Sequence, residues 1–294
     1  MNAALRPNGL RLALLALSFA LLAGCSAIRI AYNQGDTILA WMADDYFDFD
    51  AAQKQDFNTR MDRLLQWHRY EQLPDYARFL TEIRQRGRRQ FTRDDAAWVI
   101  DGAIARYRVI ARKGAPDAAE MLMTLTPDNI RALEKQFDKV NQKFAREYKL
   151  NGTPDDRRRA RLDRTLTRIR DWTGALAQEQ EQRIVALNNT IPYTDHLRLQ
   201  DRQRRQKEFL SLFNTRHNKA EFPAALRSWL ADWEKGRPPE VHAALSEGNE
   251  KRIALYLEVE RMLTPQQREH VLHKLQDYID DINTLSAKSI AVGK

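Results

Sequence analysis

Apolar residues recur at steps of three and four along most of the chain. Ile130, Leu133, Phe137, Val140, Phe144 and Tyr148 form one run, and Val271, Leu275, Tyr278, Ile282 and Leu285 another. Leu162, Leu166, Ile169, Thr173 and Leu176 make a third, and Phe57, Met61, Leu64 and His68 a fourth. With about 3.6 residues to the turn, each run draws a narrow apolar seam down one helix face, which must be buried against other helices. Sustained alternation of β-branched and polar residues is missing, and no Asn-Gly or Asp-Gly step sits between two alternating runs as a hairpin requires. The pattern predicts an all-α fold.

The punctuation between seams agrees. Thr264-Pro265-Gln266-Gln267 is a helix start in which the Thr hydroxyl accepts from an exposed amide while Gln267 reaches back to the cap. Asp50…Gln53, Thr92…Asp95, Thr126-Pro127…Asn129 and Thr153-Pro154…Asp156 are variants of it. Pro and Gly predict breaks near Leu73-Pro74, Gly114-Ala115-Pro116, Gly152, Ile191-Pro192, Gly236 to Pro239 and Gly248. The expected helices are 51–71, 74–89, 93–112, 127–150, 154–190 with a bend at Gly174, 193–217, 222–234, 239–262 and 265–286. About nine helices would form one extended multi-helix bundle over residues 49–288, followed by a short C-terminal tail, 289–294, since no linker is long or polar enough to divide it.

The first residues differ in character. Arg6 and Arg11 precede an apolar run from Leu12 to Ala23 broken only by Ser18. A membrane-crossing helix needs about 20 residues, so this shorter run has the length and flanks of a secretory signal. It ends Leu21-Leu22-Ala23-Gly24-Cys25, and here the chain resembles bacterial lipoprotein precursors. The resemblance implies a signal peptide over 1–24, cleavage between Gly24 and Cys25, and fatty-acyl chains of the palmitate type on Cys25, the single cysteine of the chain. Several acyl chains make a lasting anchor where one is marginal. Ser26, where inner-membrane lipoproteins of this class carry Asp, implies the periplasmic face of the outer membrane. Residues 25–48 would then be a lipid-bearing tether leading into the helical domain.

Four helix starts share a bulky apolar residue before the cap: Phe49-Asp50…Gln53, Phe91-Thr92…Asp95, Leu125-Thr126…Asn129 and Leu263-Thr264…Gln267. Leu176-Ala177…Gln180 is a degenerate fifth. Their unequal spacing argues against a solenoid. A hydrophobic staple with a capping box explains them. The Leu-Thr-x-x-Gln form is also similar to the short motif of small periplasmic chaperones of the Spy and CpxP kind, which implies helices that cradle unfolded polypeptides. Ala31-Tyr32-Asn33-Gln34, Trp67-His68-Arg69 with Glu71 to Tyr76, and Asp171 to Leu176 followed by Gln180 resemble a family of bacterial lipoproteins whose domain has no known function. That likeness implies an anchored helical protein and transfers no active residue.

Composition narrows the chemistry. With 43% hydrophobic residues the chain can build a core, and 48 Lys+Arg against 40 Asp+Glu leave a formal charge of only +8. So modest an excess over so long a chain is short of a nucleic-acid-binding signature. His270 and His273 stand three apart with Glu269 ahead of them, unlike the i, i+4 spacing with Glu after the first His that a zinc protease uses. His68, on a seam beside Trp67, reads as a core histidine with one hydrogen bond. No serine stands in a Gly-x-Ser-x-Gly turn, and the scattered glycines form no phosphate loop. The pairs Asp44-Asp45, Asp94-Asp95, Asp155-Asp156 and Asp280-Asp281 splay about 100° apart on a helix and serve helix starts better than a shared substrate atom. No catalytic residue, metal ligand or cofactor is expected, and the reading is non-enzymatic.

Arg157, Arg161, Arg164 and Arg168 follow i, i+4, i+7 and i+11 and stack on one face, opposite Leu162, Leu166 and Ile169. A solvated face, partly offset by Asp163 and Asp171, is one reading. An edge binding anionic lipid or lipopolysaccharide is the other, because guanidinium forks suit phosphate. Arg198, Arg202, Arg204, Arg205 and Lys207 form a second basic stretch. The expected function is a lipid-anchored periplasmic helical protein that binds unfolded polypeptides or envelope components, or else an assembly factor that binds anionic lipid through these arginines.

Overall fold

The computed structural model describes residues 27–287, so Gly24 and Cys25 lie outside the described residues. All regular structure within them is helical. α1 (Ala27–Asn33) and α2 (Gly35–Phe47) come first, followed by α3 (Ala51–Trp67), a π-helical turn (His68–Gln72) and α4 (Leu73–Arg86). Next are α5 (Arg93–Met123), α6 (Pro127–Glu147), α7 (Pro154–Thr173), α8 (Gln178–Asn189) and α9 (Asp195–Leu212), which closes in a 3-10 turn. α10 (Phe222–Ala231), α11 (Pro239–Met262) and α12 (Pro265–Ser286) complete the described chain.

The all-α expectation holds, with more segments than the nine expected. The bounds of α11 and α12 coincide with those read from caps and seams. The break expected near Gly248 is absent, since α11 runs through that buried glycine, and three further differences have local causes. The break expected at Gly114-Ala115-Pro116 is absent, and α5 runs through it with Pro116 inside. An interior Pro costs about 3 kcal/mol, yet the same helix buries Ala111, Ala115, Ala119, Met121 and Leu122, which outweighs the loss. Around Pro74 the chain also stays helical, because the π turn widens the helix just before the proline and its cap amide, Leu73 N, bonds back to His68 O. At Gly174 the expected bend is instead a full break: φ is 76° and ψ is −154°, a conformation open to glycine, and a new helix starts after Ala177.

Residues 27–47, expected to be a tether, are helical. α2 packs on α3 and α6, with Ala43, Tyr46 and Phe47 against the larger core cluster, while Ile30, Trp41 and Met42 remain exposed. Apolar side chains too numerous for a free tether explain the difference. That larger cluster centres on Phe49, Leu133, Phe209, Phe222 and Leu226, joining α2, α3, α5, α6, α9 and α10. A second cluster of Ile169, Ile184, Ile191, Leu255 and Val259 joins α7, α8 and α11. α12 lies along α4 and also touches α7 and α1.

The shared helix starts come in pairs. Gln53, third residue of α3, donates to Asn129 Oδ1 of α6 at 3.0 Å, and Asn129 Nδ2 donates to the carbonyls of Phe47 and Asp48. Gln180 of α8 and Gln267 of α12 pair in the same way. The staple-and-box reading is therefore correct locally, but the third residue also links two helices. Phe91-Thr92…Asp95 takes another course: Asp95, 2% exposed, accepts from Arg86 and Arg89.

Candidate functional site: an arginine-lined cavity

Where α7, α8, α9 and α11 meet, a cavity of about 340 Å³ opens beside Tyr148. Arg161, Arg164 and Arg168 reach it from α7, Arg198 from α9 and Arg252 from α11. Ile191 and Leu255, members of the second core cluster, form apolar wall beside them. Asp195 is the single carboxylate of the lining against these five guanidiniums.

Neutral groups hold four of the five arginines in place. Arg161 donates to Ile191 O at 2.8 Å and Arg164 to Glu147 O at 3.1 Å, with the Arg164 guanidinium over the Tyr148 ring. Arg168 meets Tyr256 OH at 3.4 Å, and Arg252 donates to Asn249 Oδ1 at 2.8 Å. Arg198 lies 4.0 Å from Asp195 and donates to Asn249 at 3.3 Å. Arginines elsewhere are placed otherwise: Arg60 is shared among Asp56, Asp117 and Glu120, and Arg204 and Arg237 both grip Asp201. The cavity thus concentrates positive charge that its own carboxylate does not neutralise.

Burial is the largest influence on two of these groups, pushing the Arg252 and Arg161 pKa values below the ordinary arginine value. Neighbouring guanidiniums push the same way and Asp195 opposes them. Arginine stays protonated through such shifts. Donors are also left over. Asn188 is 0% exposed and its Nδ2 has no hydrogen-bond partner, and Arg161 Nε and Arg198 Nε are likewise buried without one. A buried donor without a partner costs about 1–3 kcal/mol. Donors of this kind around a positive cavity suit an anion whose oxygens accept several hydrogen bonds at once.

The arginine stripe read from the sequence is therefore only partly where it was expected. Arg161 and Arg164 are half-buried, held by Ile191 O and by Glu147 O with the Tyr148 ring, rather than turned to water; Arg168 is exposed. Arg157 stands apart from the lining, over the Tyr193 ring, with hydrogen bonds to Gly152 O and Leu150 O. From the second basic stretch only Arg198 joins; Arg204 and Arg205 are tied to Glu208 and the Trp229 carbonyl. Sequence reasoning missed Arg252, Asn188 and Asn249. No periodic signal marks them, because their helices bring them in from elsewhere in the chain.

A second cluster gathers residues quoted for the family likeness. Tyr32 OH and His68 Nδ1 are 2.9 Å apart, Tyr76 packs on His68, and Arg69 covers the Tyr32 ring while donating to Asn33. Burial raises the Tyr32 pKa to about 12 and lowers that of His68. This cluster ties α1 to the π turn. Of the Leu-Thr-x-x-Gln residues, Leu263 packs against the second core cluster and Gln267 is 9% exposed, while Thr264 is exposed. His273 pairs with Asp277 in the open. Among the described residues no group of His, Cys, Asp and Glu is placed to hold a metal ion, and no helix is long and apolar enough to cross a membrane.

Fold and cavity together define an all-α protein with an arginine-rich pocket between four helices. The chain belongs to the DUF6279 family of unknown function, whose profile matches residues 45–241. That span includes four of the five cavity arginines and stops short of Arg252. Among curated proteins and among solved structures no match to the chain was found.

Proposed function

We propose that this chain is a non-enzymatic, lipid-anchored envelope protein that holds a multiply charged anionic headgroup, such as that of a phosphorylated glycolipid, in the arginine cavity. The observation that carries the reading is the meeting of Arg161, Arg164, Arg168, Arg198 and Arg252 around one carboxylate, with buried donors left unpaired. Attachment at Cys25 to the periplasmic face of the outer membrane is supported by the residues around it. It is also supported by exposed Ile30 and Trp41 on the helices that follow, since Trp favours membrane interfaces. Unfolded polypeptide is the less favoured ligand, because the motif that suggested it is spent on helix caps.

The test titrates the full chain in a zwitterionic detergent with pyrophosphate, then with a bis-phosphorylated glycolipid headgroup, by calorimetry. Saturable binding that weakens with salt and is lost in Arg161→Met and Arg252→Met is expected. No saturable binding at millimolar anion, with the variants folded, would overturn the reading. Mass spectrometry of the processed N-terminus tests the anchor separately: an unmodified Cys25 removes the compartment assignment.

A further inference from the structure

A second cavity, of about 400 Å³, lies within the larger core cluster and differs in kind from the arginine site. Its lining on α5 runs from Tyr107 through Ile110, Gly114 and Ala118 to Met121, all on one helix face. Those four turns cover about 21 Å at about 1.5 Å per residue. A volume of that size over that length leaves a cross-section of about 19 Å², room for one hydrocarbon chain whose neighbours stand about 4 Å away. Gly114 and Ala118 keep the α5 wall low; opposite them stand Phe57, Met61 and Leu64 of α3, with Phe209 and Trp229 from α9 and α10.

Polar groups in the lining are already satisfied. Arg60 is bound by Asp56, Asp117 and Glu120, Tyr107 OH donates to Leu230 O at 2.8 Å, and Trp229 Nε1 donates to Arg205 O at 3.1 Å. Nothing remains to bond a polar ligand, and an apolar void of this size left empty is unfavourable. Exposure differs between the two ends: Tyr107 is 44% exposed and Met121 and Leu122 are 6% and 8% exposed, while Ile110, Gly114 and Ala118 between them are half-buried. The Tyr107 end is the more open of the two. Beside that end, Arg108 lies over Trp233, which Tyr107 also touches, and among the described residues Arg108 makes no ion pair.

We propose that this channel binds a single linear acyl chain of about 16 carbons, methyl end toward Met121 and an anionic head near Arg108; the length follows from about 1.3 Å of rise per carbon. A narrow apolar cleft that is more open at one end suits such a chain better than fused rings or a peptide. The site is independent of the arginine cavity, and either could fail without the other.

The experiment incubates envelopes containing the full chain with palmitic acid bearing a terminal diazirine, or with a lysophospholipid carrying the same chain. After irradiation, crosslinked peptides are identified by mass spectrometry. Label on residues 57–64 and 107–122 is expected, falling about tenfold in Ala118→Phe, which fills the channel, and by less in the milder Ala118→Val. Equal labelling by both probes places the selectivity in the chain; preference for the free acid places part of it at Arg108. Label confined to α1 and α2, or unaffected by either folded substitution, would overturn the proposal.

Discussion

Gln180 and Gln267, 87 residues apart, exchange hydrogen bonds: Gln180 Nε2 donates to Gln267 Oε1 at 2.9 Å and Gln267 Nε2 returns to Gln180 Oε1 at 3.0 Å. Each oxygen also accepts the backbone amide of its own helix cap, Ala177 or Thr264, and each nitrogen also donates to a carbonyl, that of Met262 or Ala175. Both amides are fully used, and the starts of α8 and α12 are held together by them.

Removing one member strands the other. Gln180→Leu or Gln267→Leu alone should destabilise the protein by about 2–3 kcal/mol, because the other side-chain amide, one backbone carbonyl and one cap amide lose a partner. The double substitution should cost at least 1 kcal/mol less than the sum of the two, as expected of residues in one network. Urea denaturation of the three variants measures this; strict additivity would show that the pair is not coupled.

Asp95 sets the acid response. Its carboxyl is held well below the usual carboxylate range, first by the hydrogen bond from Arg89 and further by Thr92 and Arg86, against the opposing cost of burial. A depressed native pKa stabilises above the unfolded value near 3.9 and is lost as the pH falls. The stability gap between wild type and Asp95→Asn should therefore be full at pH 6 and shrink from about pH 5 downward. Chemical denaturation across that range checks it; a constant gap would remove the charge argument.

Gly102 presents opposing effects. Alanine is favoured over glycine in a helix by about 1 kcal/mol, but a Cβ here would lie 2.5 Å from Cε2 of Phe79. That ring cannot retreat easily, because Trp98 packs against it at 4.9 Å and the Arg106 guanidinium covers it at 3.8 Å. Gly102→Ala should lower stability by about 1–3 kcal/mol despite its better propensity. A rise in Tm would mean that the Phe79 ring yields.

Arg252 should show a conflict between stability and binding. Replacing it by Met removes a half-buried charge repelled by Arg198 and Arg161. Stability in anion-free buffer should rise by up to about 1 kcal/mol. Pyrophosphate should raise the Tm of the wild type and leave that of Arg252→Met unmoved. Equal anion stabilisation of both would place the ligand elsewhere.

Pro116 offers a gain with no such conflict. It lies in the interior of α5, where it cannot donate to the Arg112 carbonyl. Pro116→Ala restores that donor, and the net effect after the greater freedom of the unfolded chain should be a stabilisation of about 1–2 kcal/mol. Scanning calorimetry reads the shift directly, and an unchanged Tm would mean that the helix has already adapted to the ring.

Short-range physics was enough for much of this molecule. Thr264, Thr126, Thr153, Thr92 and Asp50 start helices because a side-chain oxygen three residues from an exposed amide needs no distant partner. The seams through Leu133 and Leu275 place those residues in the interior, since the helical repeat alone decides which side chains share a face. The stacking of Arg161, Arg164 and Arg168 followed from the same repeat. What covers a face is another matter, decided by packing between segments far apart in the chain. Burial along α5 carries the helix through Pro116, and the pairing of Gln53 with Asn129 and of Gln180 with Gln267 links helix starts whose sequences say nothing of each other. Arg252 and Asn188 join the α7 arginines only because α8 packs on that helix and α11 packs on α8. A local pattern determines direction around a helix axis, and tertiary contact alone determines which charges end up facing one another across a cavity.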